Sequence, residues 1–67
     1  MSTRTKVLLL PPRALAEAMS MSTDFIYTEI KSENIRAIRI GREIRIAKDE
    51  AVRYLEALQA PVPQEWR

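Results

Sequence analysis

The chain contains neither cysteine nor histidine among its 67 residues, and each absence excludes a kind of site. Disulfides are excluded, and structural zinc, which prefers sulfur and imidazole nitrogen, is left with carboxylates alone. The commonest general base and the thiol nucleophile are missing too. The sequence also shows no paired carboxylates, no nucleophile–base pair and no glycine-rich phosphate loop. We therefore expect no metal and no cofactor, and an enzyme is the least expected class of protein.

Long apolar runs are also missing. The longest one, at 7–10, is far too short for a signal-peptide core or a membrane span, and it fits either a short strand or a buried entry segment. An apolar content of 46% disfavours wholesale disorder. These features predict a soluble, cytoplasmic protein that does not contact a membrane.

The length predicts one small domain. A chain of this size buries only about 60% of the surface that it exposes when unfolded. Residues 1–6 are polar, and residues 61–67 contain two prolines, so both ends are expected to be flexible or extended tails. Trp66, in the second tail, is either a loose end or an anchor onto the last helix or a neighbouring subunit.

Two short helices are predicted in the first half of the chain. Pro12 fits the first turn of a helix within residues 11–20, where its missing N–H is no loss. Ser22 is a good N-cap for the second helix, and a carboxylate at Asp24 in its first turn is favoured by the helix dipole. Only residues 19–21 separate the two helices, a connection typical of a helix-turn-helix.

The alternation of apolar and charged residues from Arg36 to Ala47 predicts a strand, a turn and a second strand. Gly41, the only glycine in the chain, marks the turn. A third helix is expected over residues 48–60, and Pro61 ends it.

The loop length of this hairpin decides which side chains face the core. A two-residue loop, Gly41-Arg42, mixes isoleucine and charge on both faces, whereas a three-residue loop that includes Glu43 pairs isoleucine with isoleucine. We therefore predict the three-residue loop, with Arg39 opposite Arg45 on the outer face. The isoleucines expected to face the core are Ile38, Ile40, Ile44 and Ile46.

Positive charge is concentrated in the hairpin. Residues 36–46 carry four arginines and one glutamate, a local charge of +3, while the whole chain has a net charge of +2. Arginine binds phosphate through two N–H groups at once, which favours an anionic partner. The alternative is that these arginines only solubilise an exposed strand face and block edge pairing.

The order of these segments resembles the excisionase family of small DNA-binding domains, which belongs with the MerR-like winged helix-turn-helix proteins. The correspondence has no gap from Leu10 to Ile46, and with the last helix it covers roughly three quarters of the chain. Ser20, Arg36 and Ile44 stand where the family usually has glycine, proline and tryptophan, so we expect a positive φ at Ser20. The corresponding segments are LAEAM for the first helix, SMS for the turn, TDFIYTEI for the second helix and IRIGREIRI for the wing.

The resemblance implies an α+β winged helix-turn-helix domain that binds and bends DNA, does no chemistry, and directs the integrase of a phage or mobile element toward excision. Its expected partners are double-stranded DNA with attachment-site repeats and the integrase, and self-association on DNA is left open. A small MerR-like transcriptional regulator of a phage or mobile element is one alternative. A protein-interaction adaptor that uses Phe25 and Trp66 is another.

The resemblance also implies that the second helix enters the major groove and that the wing lies along the minor groove or the backbone. The hairpin arginines are expected on phosphates. Thr23 and Thr28 suit a phosphate or a thymine methyl group, and Asp24 either accepts from a cytosine amino group or only complements the helix dipole. The predicted DNA contacts are Arg13, Thr23, Asp24, Tyr27, Thr28, Lys31, Arg36, Arg39, Arg42 and Arg45.

Overall fold

The computed structural model describes residues 8–67, which form three α-helices and three short β-strands. This is a small α+β fold with the arrangement of a winged helix-turn-helix, as the sequence predicted. Leu9–Leu10, in the first apolar run, forms a strand of the sheet. The tail expected at residues 1–6 lies outside the described residues. None of the helices in residues 8–67 has the length and apolar character required to cross a membrane. The elements in chain order are β1 (Leu9–Leu10), α1 (Pro12–Met19), α2 (Thr23–Lys31), β2 (Ile38–Ile40), β3 (Glu43–Ala47), α3 (Lys48–Ala57) and a 3-10 turn (Gln64–Trp66).

The first two helices begin where the sequence predicts. Pro12 occupies the first turn of α1. The Ser22 hydroxyl accepts a hydrogen bond from the Phe25 amide at 3.2 Å, which satisfies one of the free N–H groups at the start of α2. Asp24 follows in the first turn, next to the positive end of the helix dipole.

Each of the three helices is followed within two residues by a non-glycine residue in the left-handed conformation. The φ angles are 57° at Ser20, 66° at Glu33 and 57° at Gln59. At the end of α1 the Ser20 amide donates to the Glu17 carbonyl at 3.1 Å and the next amide donates to the Ala16 carbonyl at 2.9 Å. The same pair of bonds recurs after α2 and α3, and it is the Schellman arrangement that usually takes glycine. The positive φ expected at Ser20 is confirmed.

The sheet is antiparallel with β3 in the centre, and the predicted hairpin register is wrong. Ile40 pairs with Glu43, and Ile38 pairs with Arg45, so the loop has two residues, Gly41-Arg42. Gly41 has a φ of 61° at the first turn position, which suits the tight two-residue turns whose twist matches the strands. The register is therefore set by the backbone conformation of the two-residue turn and not by the pairing of isoleucine with isoleucine.

The change in register redistributes the side chains of the hairpin. Ile46 is fully buried, but Ile38 and Ile40 lie on the outer face with 42% and 50% of their surface exposed. The prediction that all four isoleucines face the core is therefore wrong. Arg39 pairs with Ile44 on the inner face, so the predicted position of Arg39 opposite Arg45 is wrong as well.

The hydrophobic core joins every helix to the sheet and includes the end of the chain. Trp66 is only 8% exposed, and Arg67 forms a salt bridge with Glu56 of α3 at 3.1 Å. The prediction of a flexible or extended C-terminal tail is thus wrong for residues 64–67, because burial of the large indole outweighs the entropy of the free chain. Trp66 is an anchor within the molecule. The largest fully buried side chains are Leu15, Ile26, Ile35, Ile46 and Leu55.

Candidate nucleic-acid interface

One face of α2 carries four of the predicted contact residues. Asp24, Tyr27, Thr28 and Lys31 are all exposed, and their spacing of three, four and seven residues places them on one side of the helix. Ile26, on the opposite side, is fully buried in the core. The core therefore fixes which face of α2 is presented to a partner. We call these four exposed residues the α2 stripe.

Local hydrogen bonding limits what the α2 stripe offers. The Thr28 hydroxyl donates to the Asp24 carbonyl at 3.0 Å, so its proton is engaged within the helix while its methyl group and oxygen lone pairs remain available. Thr23 is half-buried at the start of the helix. Lys31 lies in the last turn, where its positive charge also complements the helix dipole.

Glu29, on the same helix, is turned away from the stripe and toward α3. Its carboxylate accepts a hydrogen bond from the Tyr54 hydroxyl at 2.6 Å and contacts the Asn34 side-chain amide at 3.4 Å. Burial, together with this bond to a carboxylate, raises the pKa of Tyr54 to about 12. Asp24 is therefore the carboxylate that remains on the stripe.

Arg39 and Arg42 lie on the wing and are exposed. Arg39 borders the same depression as Ile30 in the C-terminal half of α2. Arg42 lies at the tip of the turn, beside Gly41. Among residues 8–67, neither arginine forms a salt bridge with a carboxylate. Two guanidinium groups of the wing thus keep their donors for an external acceptor.

Arg45 has a different environment. It forms a salt bridge with Glu43 at 3.2 Å and donates to the Ile44 carbonyl at 2.9 Å, on the face of the hairpin opposite Arg39. The structure therefore does not bring Arg45 together with the other hairpin arginines, and its charge is balanced locally.

The last two predicted DNA contacts, Arg13 and Arg36, lie outside α2 and outside the strands of the wing. Arg13 is exposed in the first turn of α1, and Arg36 is exposed in the connection between α2 and β2. The Arg36 amide donates to the Glu50 carboxylate at 2.9 Å, while its side chain forms no salt bridge within residues 8–67. Arg36 is thus available beside the wing.

Sequence reasoning did not identify the polar contacts that hold this connection in place. Arg53 donates to both carboxylate oxygens of Glu50, at 2.9 and 2.7 Å, and to the Asn34 carbonyl at 3.1 Å. The hydrogen bond from Arg53 holds the pKa of the Glu50 carboxyl below its usual value, against the opposing effect of burial. The three-residue spacing of Glu50 and Arg53 indicates an ion pair on the helix, but the contacts to the connection depend on tertiary structure.

No protein-family model matches the chain, and comparison with curated proteins and with solved structures finds no match either. Residues 8–67 hold no cluster of three or more side chains suited to a metal ion. The fold is that of a small winged helix-turn-helix domain. Its candidate site is the α2 stripe together with Arg36, Arg39 and Arg42.

Proposed function

We propose that this chain is a DNA-binding and DNA-bending accessory protein of the excisionase kind, which directs the integrase of a phage or mobile element toward excision. The observation that carries the proposal is that Arg39 and Arg42, on the wing that follows α2, are exposed and form no salt bridge within residues 8–67. In a winged helix-turn-helix these are the two elements that meet DNA. The resemblance of the sequence to excisionases supplies the biological role.

In this proposal α2 lies in the major groove, whose width of about 12 Å admits a helix. The Thr28 methyl group contacts a thymine, and Asp24 accepts from a cytosine amino group. Lys31 and Arg36 bind the flanking backbone, and the wing places Arg39 and Arg42 on phosphates of the neighbouring minor groove. A bend in the duplex brings the phosphates that flank α2 and those beside the wing onto the protein at the same time. The added contacts offset the free-energy cost of bending the DNA.

The proposal is tested by the salt dependence of DNA binding. About four phosphate contacts predict a slope of about −3.6 in a plot of log K against log salt. The slope is measured by fluorescence anisotropy on a duplex that carries the attachment site of the element. We expect Arg39→Ala and Arg42→Ala each to reduce its magnitude by about one.

Two arginine variants serve as matched controls. Arg67→Ala removes the same charge from the α3 side of the molecule, and Arg45→Ala removes an arginine that Glu43 already neutralises. Both are expected to keep the parent slope. If Arg42→Ala also keeps it, or if Arg45→Ala lowers it as much as Arg39→Ala does, the proposed contact surface is wrong.

A MerR-like regulator would use the same surface, so the binding sites must distinguish the two roles. Cooperative loading of tandem sites supports the excisionase, whereas binding to one promoter palindrome supports the regulator.

One observation favours the adaptor as a second candidate. Ile38 and Ile40 are exposed on β2, which is an edge strand of the sheet, and such a surface suits a protein partner. A failure to bind random duplex DNA even at low salt would support the adaptor.

A further inference from the structure

Three polar side chains on one face of α3 contact the last turns of α2 and the segment that joins α2 to the wing. Glu50, Arg53 and Tyr54 lie on the same side of the helix because they are spaced by three and four residues. Glu50 and Tyr54 are largely buried, with 15% of the Glu50 side chain and 5% of Tyr54 exposed. These three side chains are called the α3 clamp below.

Each member of the α3 clamp holds a different point of the chain. Tyr54 donates to Glu29 in the last turns of α2, Arg53 donates to the Asn34 carbonyl, and the Glu50 carboxylate accepts from the Arg36 amide. The contacts are 2.6, 3.1 and 2.9 Å long and join residues 25, 19 and 14 positions apart. The residues that the clamp contacts are therefore distributed from the last turns of α2 almost to the start of β2.

The segment held in this way joins α2 to the first strand of the wing. Residues 32–37 form neither helix nor strand. The amides of residues 32–35 donate to carbonyls of α2, whereas the Arg36 amide donates to the Glu50 carboxylate of α3. On the other side of the wing, β3 ends at Ala47 and α3 begins at Lys48 with no loop between them. The helix α3 is thus joined directly to the second strand of the wing and, through the clamp, to the approach to its first strand.

We propose that Glu50, Arg53 and Tyr54 are positioning residues for DNA binding, which hold the α2 stripe and the wing arginines at the separation that two neighbouring grooves require. The inference rests on the proposed function. A domain in which the connection is free populates other wing orientations, and its apparent affinity falls in proportion to the competent fraction.

The variant Glu50→Gln separates a positioning role from simple electrostatics, because the two predict opposite changes in DNA affinity. Removal of a carboxylate makes the domain more positive and leaves Arg53 without its ion-pair partner, so charge alone predicts tighter DNA binding. Glutamine has one neutral acceptor oxygen in place of two charged ones, so it cannot hold both Arg53 and the Arg36 amide as Glu50 does. A weakened clamp predicts weaker binding, and we expect a decrease of about five- to tenfold at constant salt. Glu56→Gln is the matched control, because it makes the same charge change on α3 at a residue whose partner is Arg67.

The salt series supplies a second readout. A positioning residue leaves the number of phosphate contacts unchanged, so we expect Glu50→Gln to keep the parent slope while the affinity falls. Arg53→Lys preserves the charge but replaces the planar guanidinium by a single ammonium group, and it is expected to recover part of the affinity that Arg53→Ala loses. Urea unfolding and circular dichroism establish that each variant is folded at the temperature of the binding assay. An affinity for Glu50→Gln equal to or above that of Glu56→Gln would overturn the inference.

Amide hydrogen exchange of the free protein distinguishes a failure of the inference from a failure of the proposed function. We expect the Arg36 amide to lose protection in Glu50→Gln and to keep it in Glu56→Gln. If the parent protein binds no DNA, the proposed function is wrong whatever the exchange shows. If the parent binds DNA and the Arg36 amide is equally protected in both variants, the clamp is wrong and the proposed function stands.

Discussion

Replacement of three left-handed residues by glycine is expected to stabilise this domain. Ser20, Glu33 and Gln59 have φ angles of 57°, 66° and 57° at the ends of the three helices. A side chain in this conformation costs about 1–2 kcal/mol, and glycine removes that cost while adding about 0.5–1 kcal/mol of backbone entropy to the unfolded state. The expected net gain is about 0.5–1 kcal/mol per site.

The three sites lie at different helix ends, so their effects should add to about 2 kcal/mol in the triple variant. A domain of 67 residues has a total stability of about 3–10 kcal/mol, so the gain is a substantial fraction of it. Urea unfolding followed by circular dichroism measures the effect. With a slope of about 1 kcal/mol per molar urea, the midpoint should rise by about 2 M.

A matched substitution tests the physical reason for this gain. Glu17 is exposed within α1, and Glu17→Gly removes the same side chain as Glu33→Gly from a residue with ordinary helical φ. We expect Glu17→Gly to destabilise the domain by about 1 kcal/mol and Glu33→Gly to stabilise it. The account of the helix ends is refuted if both substitutions change the stability in the same direction.

Two further predictions concern the core. The pKa of Tyr54 is about 12 in the folded protein against an ordinary value of 10.0, so the folded state holds this proton more tightly than the unfolded state does. The associated stability, about 2–3 kcal/mol, is complete below pH 10 and lost as the pH rises to about 12, and urea unfolding of Tyr54→Phe over that pH range should lack this loss. Trp66→Ala should cost about 3 kcal/mol of unfolding free energy, because the indole belongs to the core, and a change below about 0.5 kcal/mol would contradict its role as an anchor.

Much of the fold and of the α2 stripe follows from local patterns. The cap at Ser22, the proline at the start of α1 and the apolar spacing in α2 are interactions within a few residues, so the sequence is sufficient to place them. The resemblance placed Thr23, Asp24 and Thr28 on the exposed side of α2; Asp24 and Thr28 are exposed in the structure, and Thr23 is half-buried.

The hairpin register shows where side-chain pairing alone was not enough. Two registers competed, and the deciding term was the backbone conformation at Gly41 together with the twist of the strands. Pairing of isoleucine with isoleucine pointed to the other register. As a result the sequence correctly located the wing but assigned Ile38, Ile40 and Arg39 to the wrong faces.

The sequence by itself determined the three helices, the wing and the exposed side of α2, because each depends on contacts between near neighbours in the chain. Only the tertiary structure decided that Trp66 closes the core and that the α3 clamp holds the connection between α2 and the wing. Those contacts join residues up to 25 positions apart. Long-range contacts of this kind follow from the way the elements pack together, which no local periodicity encodes.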